Sequence, residues 1–356
     1  MTTGAFEAAA TAVSRLDGVA ADEAAALHDR LTKPRGALGR LEPLGVRLAA
    51  IAGANPPPVP TPAAVAVFAG DHGVLEQGVS PWPREVTAQM VANFAAGGAA
   101  INVLARQIGA SVTVVDVGVA TDIADAAGVL DRRVRRGTAD LTVGPAMSED
   151  EARAALDVGA GIAADLVAGG ARSLVTGEMG IGNTTPAATL IAACTGRPAV
   201  DVTGRGTGVD DDTLGHKIAV VAAALELHAD AVGRGALPTL AAVGGLEHAA
   251  LAGFVVGGAA ARVPVVVDGV IADAALLVAE RLVPGVVDFC LAGHRSSEPG
   301  AAAALEHLGL EPLLELDLRL GEGTGACLAL PLIEAAARVL REMATFDSAG
   351  VSDKAE

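Results

Sequence analysis

From residue 63 onward the chain alternates short, continuous apolar runs with longer Ala- and Leu-rich stretches. The runs are AAVAVFAG, ASVTVVDVG, ARSLVTG, RVPVVVDG and GVVDFCLAG, all carrying β-branched residues and bounded by turn formers. Strands that are apolar on both faces and separated by helices predict an α/β fold, a parallel sheet covered on both sides. Ahead of them, residues 5–53 read as Ala-rich helix, and NPPPVPTP, Asn55–Pro62, reads as a stiff linker into the main body. SEDEARAAL carries a capping box, Ser148 with Glu151. Ser80–Gly109 reads as one long amphipathic helix behind the Pro-rich entry SPWP, with Met90 and Phe94 on its core side. The run LRL reads as the end of an apolar strand leading into a helix that begins near Ala326, and the tail DSAGVSDKAE reads as frayed and polar. This divides the chain into an N-terminal helical segment (1–60), a parallel α/β body (61–330) and a C-terminal helix with its tail (331–356).

Composition narrows the function classes. The 356 residues are 51% hydrophobic and include 44 Gly, enough for a large core of small side chains with close backbone approach. Aromatics are only 2%, with no Tyr, which argues against stacking platforms for sugars or single-stranded nucleic acid. The net charge of −17, with DRRVRR as the one dense basic cluster, argues against nucleic acid or anionic membranes as partners. No apolar window reads as a membrane span, and no export signal is visible at the N-terminus. Cys194, Cys290 and Cys327 stand singly in apolar sequence, so they read as buried thiols of a cytoplasmic protein.

Four Gly-rich turns follow apolar runs: AGDHGV, TGEMGIGNTT, AGHRSSEPG and LGEGTGA. Open parallel sheets bind ligands at that end of their strands. GEMGIGNTTPAAT, Gly177–Thr189, fits a phosphate cradle at a helix start, or equally a capped helix after a Gly turn; it is neither a Walker loop nor a dinucleotide fingerprint. In VTGRGTGVDDDTLGHK, Asp211 or Asp212 fits a helix cap, while Arg205 and Lys217 are candidates for a ligand's negative charge. Asp71, His72, His294, Arg295 and Glu298 read as loop anchors, with a metal site the lesser alternative. Glu322, set among the glycines of LGEGTGA, is either a cap for the following helix or a general base in a pocket that raises its proton affinity.

TKPRGALGRLE, AGDHGV, SPWPREVTAQMVANFAAGGAAINVLAR, GEMGIGNTT, GRGTGVDD, GHRSSEPG and LRLGEGTGA resemble, in order and over nearly the whole chain, the nicotinate mononucleotide:dimethylbenzimidazole phosphoribosyltransferases of cobalamin biosynthesis. The resemblance implies a Rossmann-like sheet with a small helical domain from the chain ends, in a homodimer. It implies transfer of phosphoribose from nicotinate mononucleotide to 5,6-dimethylbenzimidazole, giving α-ribazole 5′-phosphate and nicotinate, with no cofactor or metal. Transfer to adenine, other benzimidazoles or phenolics is the alternative within that class, and non-catalytic nucleotide binding the alternative outside it.

Matched residue by residue, Glu322 is the implied catalytic base and Glu178 an electrostatic partner of the reacting ribose. Gly180, Ile181, Gly182, Asn183 and Thr184 are implied to hold the 5′-phosphate, with Gly204, Arg205, Gly206 and Lys217 closing round it. Ser80, Gln89 and Met179 are implied to line the benzimidazole pocket, Leu320 and Gly321 are further substrate-binding candidates, and the glycines about Glu322 read as room for the ring. Trp82 departs from the smaller aromatic ring common at that position.

Overall fold

The run AAVAVFAG becomes β1, Ala63–Gly70, and all of its residues are buried. Ala64, Ala66 and Phe68 point into one core cluster while Ala63, Val65, Val67 and Ala69 point into a second, so the two-residue period divides one strand between two layers. Around it, a computed structural model describing residues 4–123 and 127–352 places β2 (Ser111–Gly118), β3 (Val129–Asp131), β4 (Ser173–Met179), β5 (Val265–Val267) and β6 (Cys290–Ala292). All pairings are parallel, in the order β3-β2-β1-β4-β5-β6. This is the doubly wound, Rossmann-like order, in which the winding reverses between β1 and β4 and opens a crevice beyond the strands' carboxyl ends.

One face of the sheet is covered by the helices Glu149–Ala168, Thr184–Thr195, Leu246–Ala260 and Val270–Leu282, the other by Leu41–Ala52, Glu85–Ala95, Ala100–Ile108 and Thr324–Glu342. Small residues set how closely these layers pack. Where Glu149–Ala168 crosses Leu246–Ala260, a Cβ on Gly159 would lie 1.8 Å from the Ala250 carbonyl oxygen. Gly159→Ala is therefore expected to cost about 1–3 kcal/mol by overpacking. Gly161→Ala, two residues along the same helix, meets nothing within 4 Å and should gain a few tenths to about 1 kcal/mol. Urea unfolding of the two variants checks the pair of opposite signs.

Chain ends meet in a small helical layer. Ala20 and Ala24 of the helix Gly18–Arg30 and Ala49 of Leu41–Ala52 share a cluster with Leu340, and Leu31 bridges to Thr345. The Pro-rich segment is tied down rather than free, because Pro60 O accepts from Ser173 Oγ at 2.7 Å and Pro57 O from Arg341 Nη1 at 3.1 Å. Ser148 and Glu151 form the expected capping box.

Four expectations need correction. Ser80–Gly109 is two helices, Glu85–Ala95 and Ala100–Ile108, because the pair Gly97-Gly98 breaks the run. Taken together, Glu85–Ile108 is long and apolar enough to span a bilayer, at a mean hydropathy of 1.3. Bent in two, it instead buries Val91, Phe94 and Ile101 against the sheet. The run ending at Leu320 is not a strand: Leu314 alone bridges to His294, and Leu316 and Leu320 are exposed. The cap of the helix Asp211–Leu227 is Asp210, whose carboxylate accepts from Thr213 N, and not Asp211 or Asp212. The tail begins with a capped turn, Phe346–Ala349, while its last four residues lie outside the described ones. Thr324–Glu342 runs unbroken through position 331.

Candidate functional site

Beyond the carboxyl ends of β4, β5 and β6 lies a cavity of about 680 Å³. Its floor is Glu178 to Ile181 with Asn183 and Thr184; its walls are Gly269–Ile271, then His294, Ser296 and Glu298, then Gly206–Thr207 and Asp317–Glu322. Trp82, Val86 and Met90 close one apolar end. The AGDHGV turn reaches the same edge without lining the cavity. His72 instead lies beneath it, 2.9 Å from Glu247, whose carboxylate is also 2.8 Å from His248 Nδ1. Burial opposes charge on Glu247, and the two imidazoles outweigh it and hold the carboxyl below its usual range. A Cβ on Gly180 would sit 3.2 Å from His72 Nε2, so this buried cluster supports the floor of the site.

Gly321, Glu322 and Gly323 are successive left-handed residues, with φ of +81, +64 and +93°. For Glu322 that conformation costs roughly 1–2 kcal/mol, and its neighbours enforce it. Asp268, just past β5, accepts from Gly323 N at 3.1 Å and from Ala326 N at 2.9 Å. Asp268 is thus the cap of the helix Thr324–Glu342, and Glu322 is not. A Cβ on Gly321 would lie 2.2 Å from Glu178 Oε1, and one on Gly177 would lie 2.6 Å from the Glu322 carbonyl oxygen. The glycines here make room for a carboxylate and for backbone, which corrects the expectation that they make room for a flat ring.

Glu322 is buried, and its Oε2 has no hydrogen-bond partner among the described residues. Burial raises its pKa from 4.5 to about 7; the Ile101 amide opposes this and Asp268 adds to it. Glu178 accepts from Asn183 Nδ2 and, at 3.4 Å, from Glu322 N. Burial first, then the charges of Asp268 and Glu247, push Glu178 up to about 8. Lys217 is buried behind the cavity and donates to Thr184 Oγ1 at 2.6 Å and Gly204 O at 3.1 Å. Burial lowers its pKa to about 8, with Glu298 opposing.

The cavity gathers Glu322, Glu178, Met179, Gly180, Ile181, Asn183, Thr184, Gly206, Leu320 and Gly321 from the expected set. The remaining six do not line it. Gly182 turns away at φ +88°, beside Leu75 and Val79. Gly204 lies under Glu298, and Arg205 spends its guanidinium on Asp211 and Val209 O in its own turn. Lys217 stands behind the lining, held to Thr184 Oγ1 and Gly204 O. Ser80 Oγ accepts from Trp82 N, and Gln89 is exposed. The Gly206 amide donates to Glu298 at 2.9 Å.

Sequence reasoning missed Asp268, Arg319 and the placing of Glu298 and His294 in the wall. Arg319 donates to Gly206 O at 2.9 Å and, among the described residues, is the only Lys or Arg lining the cavity. Its place in LRLGEG, one residue from the Gly-rich turn, was the available signal.

A family model described as "Phosphoribosyltransferase" matches residues 13–351. A nicotinate-nucleotide–dimethylbenzimidazole phosphoribosyltransferase of Salinispora tropica is 58% identical, with 98% of this chain and 100% of that protein covered. The enzyme of that name from Chloroflexus aggregans is 54% identical, with 97% of each chain covered. A crystal structure of the Thermus thermophilus enzyme superposes with a TM-score of 0.90 at 49% identity, covering 95% of this chain and 100% of that one.

Proposed function

Because the chain belongs to the nicotinate-nucleotide–dimethylbenzimidazole phosphoribosyltransferase family, we infer that its large cavity is where the transfer occurs and that Glu322 takes the proton. The protein moves the phosphoribosyl group of nicotinate mononucleotide to 5,6-dimethylbenzimidazole, giving α-ribazole 5′-phosphate and nicotinate, a step in assembling the nucleotide loop of cobalamin. The C1′–N bond breaks and its electron pair leaves with the pyridine nitrogen, which was cationic and becomes neutral. The incoming azole nitrogen bonds to C1′ from the opposite face, which inverts the β-nucleotide to an α-riboside. The second azole nitrogen must then lose its proton.

A single observation carries the role of Glu322: a buried carboxyl in the cavity wall, raised to about 7, whose Oε2 has no partner among the described residues. A base of that strength is matched to proton transfer near neutral pH. Trp82, Val86, Met90 and Met179 supply an apolar seat for the ring. Glu178, on the floor, faces the ribose, where positive charge develops as the leaving bond stretches.

The 5′-phosphate goes to the N-terminus of the helix Thr184–Thr195, where the helix dipole favours an anion. Lys217 behind Thr184 and Arg319 across the cavity supply positive charge. Lys217→Met is expected to raise the KM for nicotinate mononucleotide by about 10–100-fold, the worth of a hydrogen bond from a charged donor, with a smaller change in kcat. Steady-state kinetics with the nucleotide varied checks this.

The function is tested by incubating the purified protein with nicotinate mononucleotide and a panel of bases. Release of nicotinate matched by α-ribazole 5′-phosphate supports the reading. Preference for adenine or phenolics over dimethylbenzimidazole favours the broader one, and binding with no nicotinate release favours a nucleotide-binding protein. A homodimer is the proposed assembly, supported by the exposed Trp82, Leu316 and Leu320, and sedimentation checks it. The free thiols of Cys194, Cys290 and Cys327 suit the reducing cytoplasm proposed as its compartment.

A further inference from the structure

Asp268 is buried directly behind the Glu322 turn and does not line the cavity. Its two oxygens take the amides on either side of that turn's exit, Gly323 N and Ala326 N, at 3.1 and 2.9 Å. Oδ1 also lies 3.4 Å from His294 Nε2 in the cavity wall. Its own amide is held by Thr176 Oγ1 on β4 at 3.0 Å, so the carboxylate is fixed from behind by the sheet.

We propose that Asp268 is a positioning residue for the transfer: it locks the left-handed Glu322 turn through two amide hydrogen bonds and sets its carboxylate directly behind the Glu322 carboxyl. The inference rests on the reading of Glu322 as the proton acceptor. Both Asp268 oxygens accept amides at a helix N-terminus, where the dipole favours a negative group. A fixed negative charge then opposes a second one nearby, so a proton on Glu322 is held more tightly. The raised pKa of Glu322, to which Asp268 contributes after burial, agrees with this geometry.

The groups around Glu322 come from every packed element. They are Glu178 at the end of β4, which accepts from Glu322 N, Asp268 after β5, and the Ile101 amide of Ala100–Ile108, with His294 after β6 in the same cavity wall. Of these, Asp268 alone both contacts the turn's backbone through two hydrogen bonds and carries a charge held by the fold.

Asp268→Asn keeps the volume and one acceptor but removes the charge. Its expected signature is an acid limb of the kcat–pH profile moved down by about one pH unit, the scale of a neighbouring charge. The plateau rate should fall about tenfold because the base is weaker, while the KM for nicotinate mononucleotide stays put. A merely structural role would change kcat and KM without moving the limb. Glu322→Gln is measured alongside. If Glu322→Gln loses turnover and Asp268→Asn leaves the limb where it was, Asp268 is not the setting charge and only this inference falls. Wild-type turnover in Glu322→Gln removes the reading of Glu322 and this inference together. Should Asp268→Asn fail to fold, Asp268→Glu keeps the charge and displaces the turn. It should then retain the limb and lose kcat, and wild-type kcat in that variant overturns the positioning role.

Discussion

Glu322→Gln loses turnover by about 10²–10⁴-fold while still binding nicotinate mononucleotide, because a general base contributes that much and the amide cannot take a proton. The nucleotide's phosphate and ribose are proposed to be held by other elements, so binding survives. In the wild type, Glu322 must be deprotonated to act, and its pKa is raised to about 7. Activity therefore falls as pH drops through about 7, and this limb is absent from whatever residual rate the variant shows. Stability moves the other way. A carboxyl at 4.5 in the unfolded chain and about 7 in the folded one favours the folded state below 4.5 and loses that favour as pH rises to 7. The Gln variant lacks this loss, so near pH 8 it should unfold at the same denaturant concentration as the wild type or a higher one. Kinetics from pH 5.5 to 9, with unfolding at the two extremes, checks both signs; wild-type turnover would remove Glu322 from the mechanism.

The second large effect belongs to Glu178. Glu178→Gln is expected to lower kcat by about 10²–10³-fold and to raise the KM for nicotinate mononucleotide by a smaller factor, the pattern of an interaction that strengthens in the transition state. Burial and the charges of Asp268 and Glu247 hold this carboxyl up to about 8, so at pH 7 it is mostly protonated. A pyridinium cation bound beside it favours ionisation. Binding of nicotinate mononucleotide at pH 7 should then release protons, read as a dependence of the calorimetric heat on the buffer's ionisation enthalpy. Buffer-independent heats with normal turnover in Glu178→Gln would show that its charge plays no part.

The body of the fold was legible because its strands are apolar on both faces. AAVAVFAG admits no other burial pattern than two covered faces, and all of it is buried. β3, Val129–Asp131, was not legible: three residues ahead of DRRVRR carry no periodicity, and their pairing with β2 is set by the neighbour. The break at Gly97-Gly98 was written in the sequence but outvoted by apolar spacing on either side. LELDLRL alternates as a strand would, yet lies past the edge of β6, where Leu314 forms an isolated bridge to His294 and Leu318 O accepts from Ser297 N, too few pairings to make a strand.

At the site, Glu322 stood out as a carboxyl inside a glycine run while Glu178 came only with the family resemblance, and the glycines about them serve close packing of Glu178 against the Glu322 turn. Asp268 was invisible as the last polar residue of RVPVVVDG, because its partners, Gly323 and Ala326, lie 55 and 58 residues away. Arg205 and Lys217 looked alike as cations beside a Gly-rich turn. Arg205 is turned onto Asp211, and Lys217 is buried against Thr184, differences that only the folding of the helix Asp211–Leu227 over the loop creates.

The most direct test of Glu322 as the proton acceptor is a crystal structure of this protein with 5,6-dimethylbenzimidazole bound. One ring nitrogen within hydrogen-bond reach of the Glu322 carboxylate, about 2.6–3.2 Å, with the ring against Trp82, Met90 and Met179, is the predicted result. A base seated with both nitrogens away from Glu322, and that carboxylate left unpartnered, would contradict it.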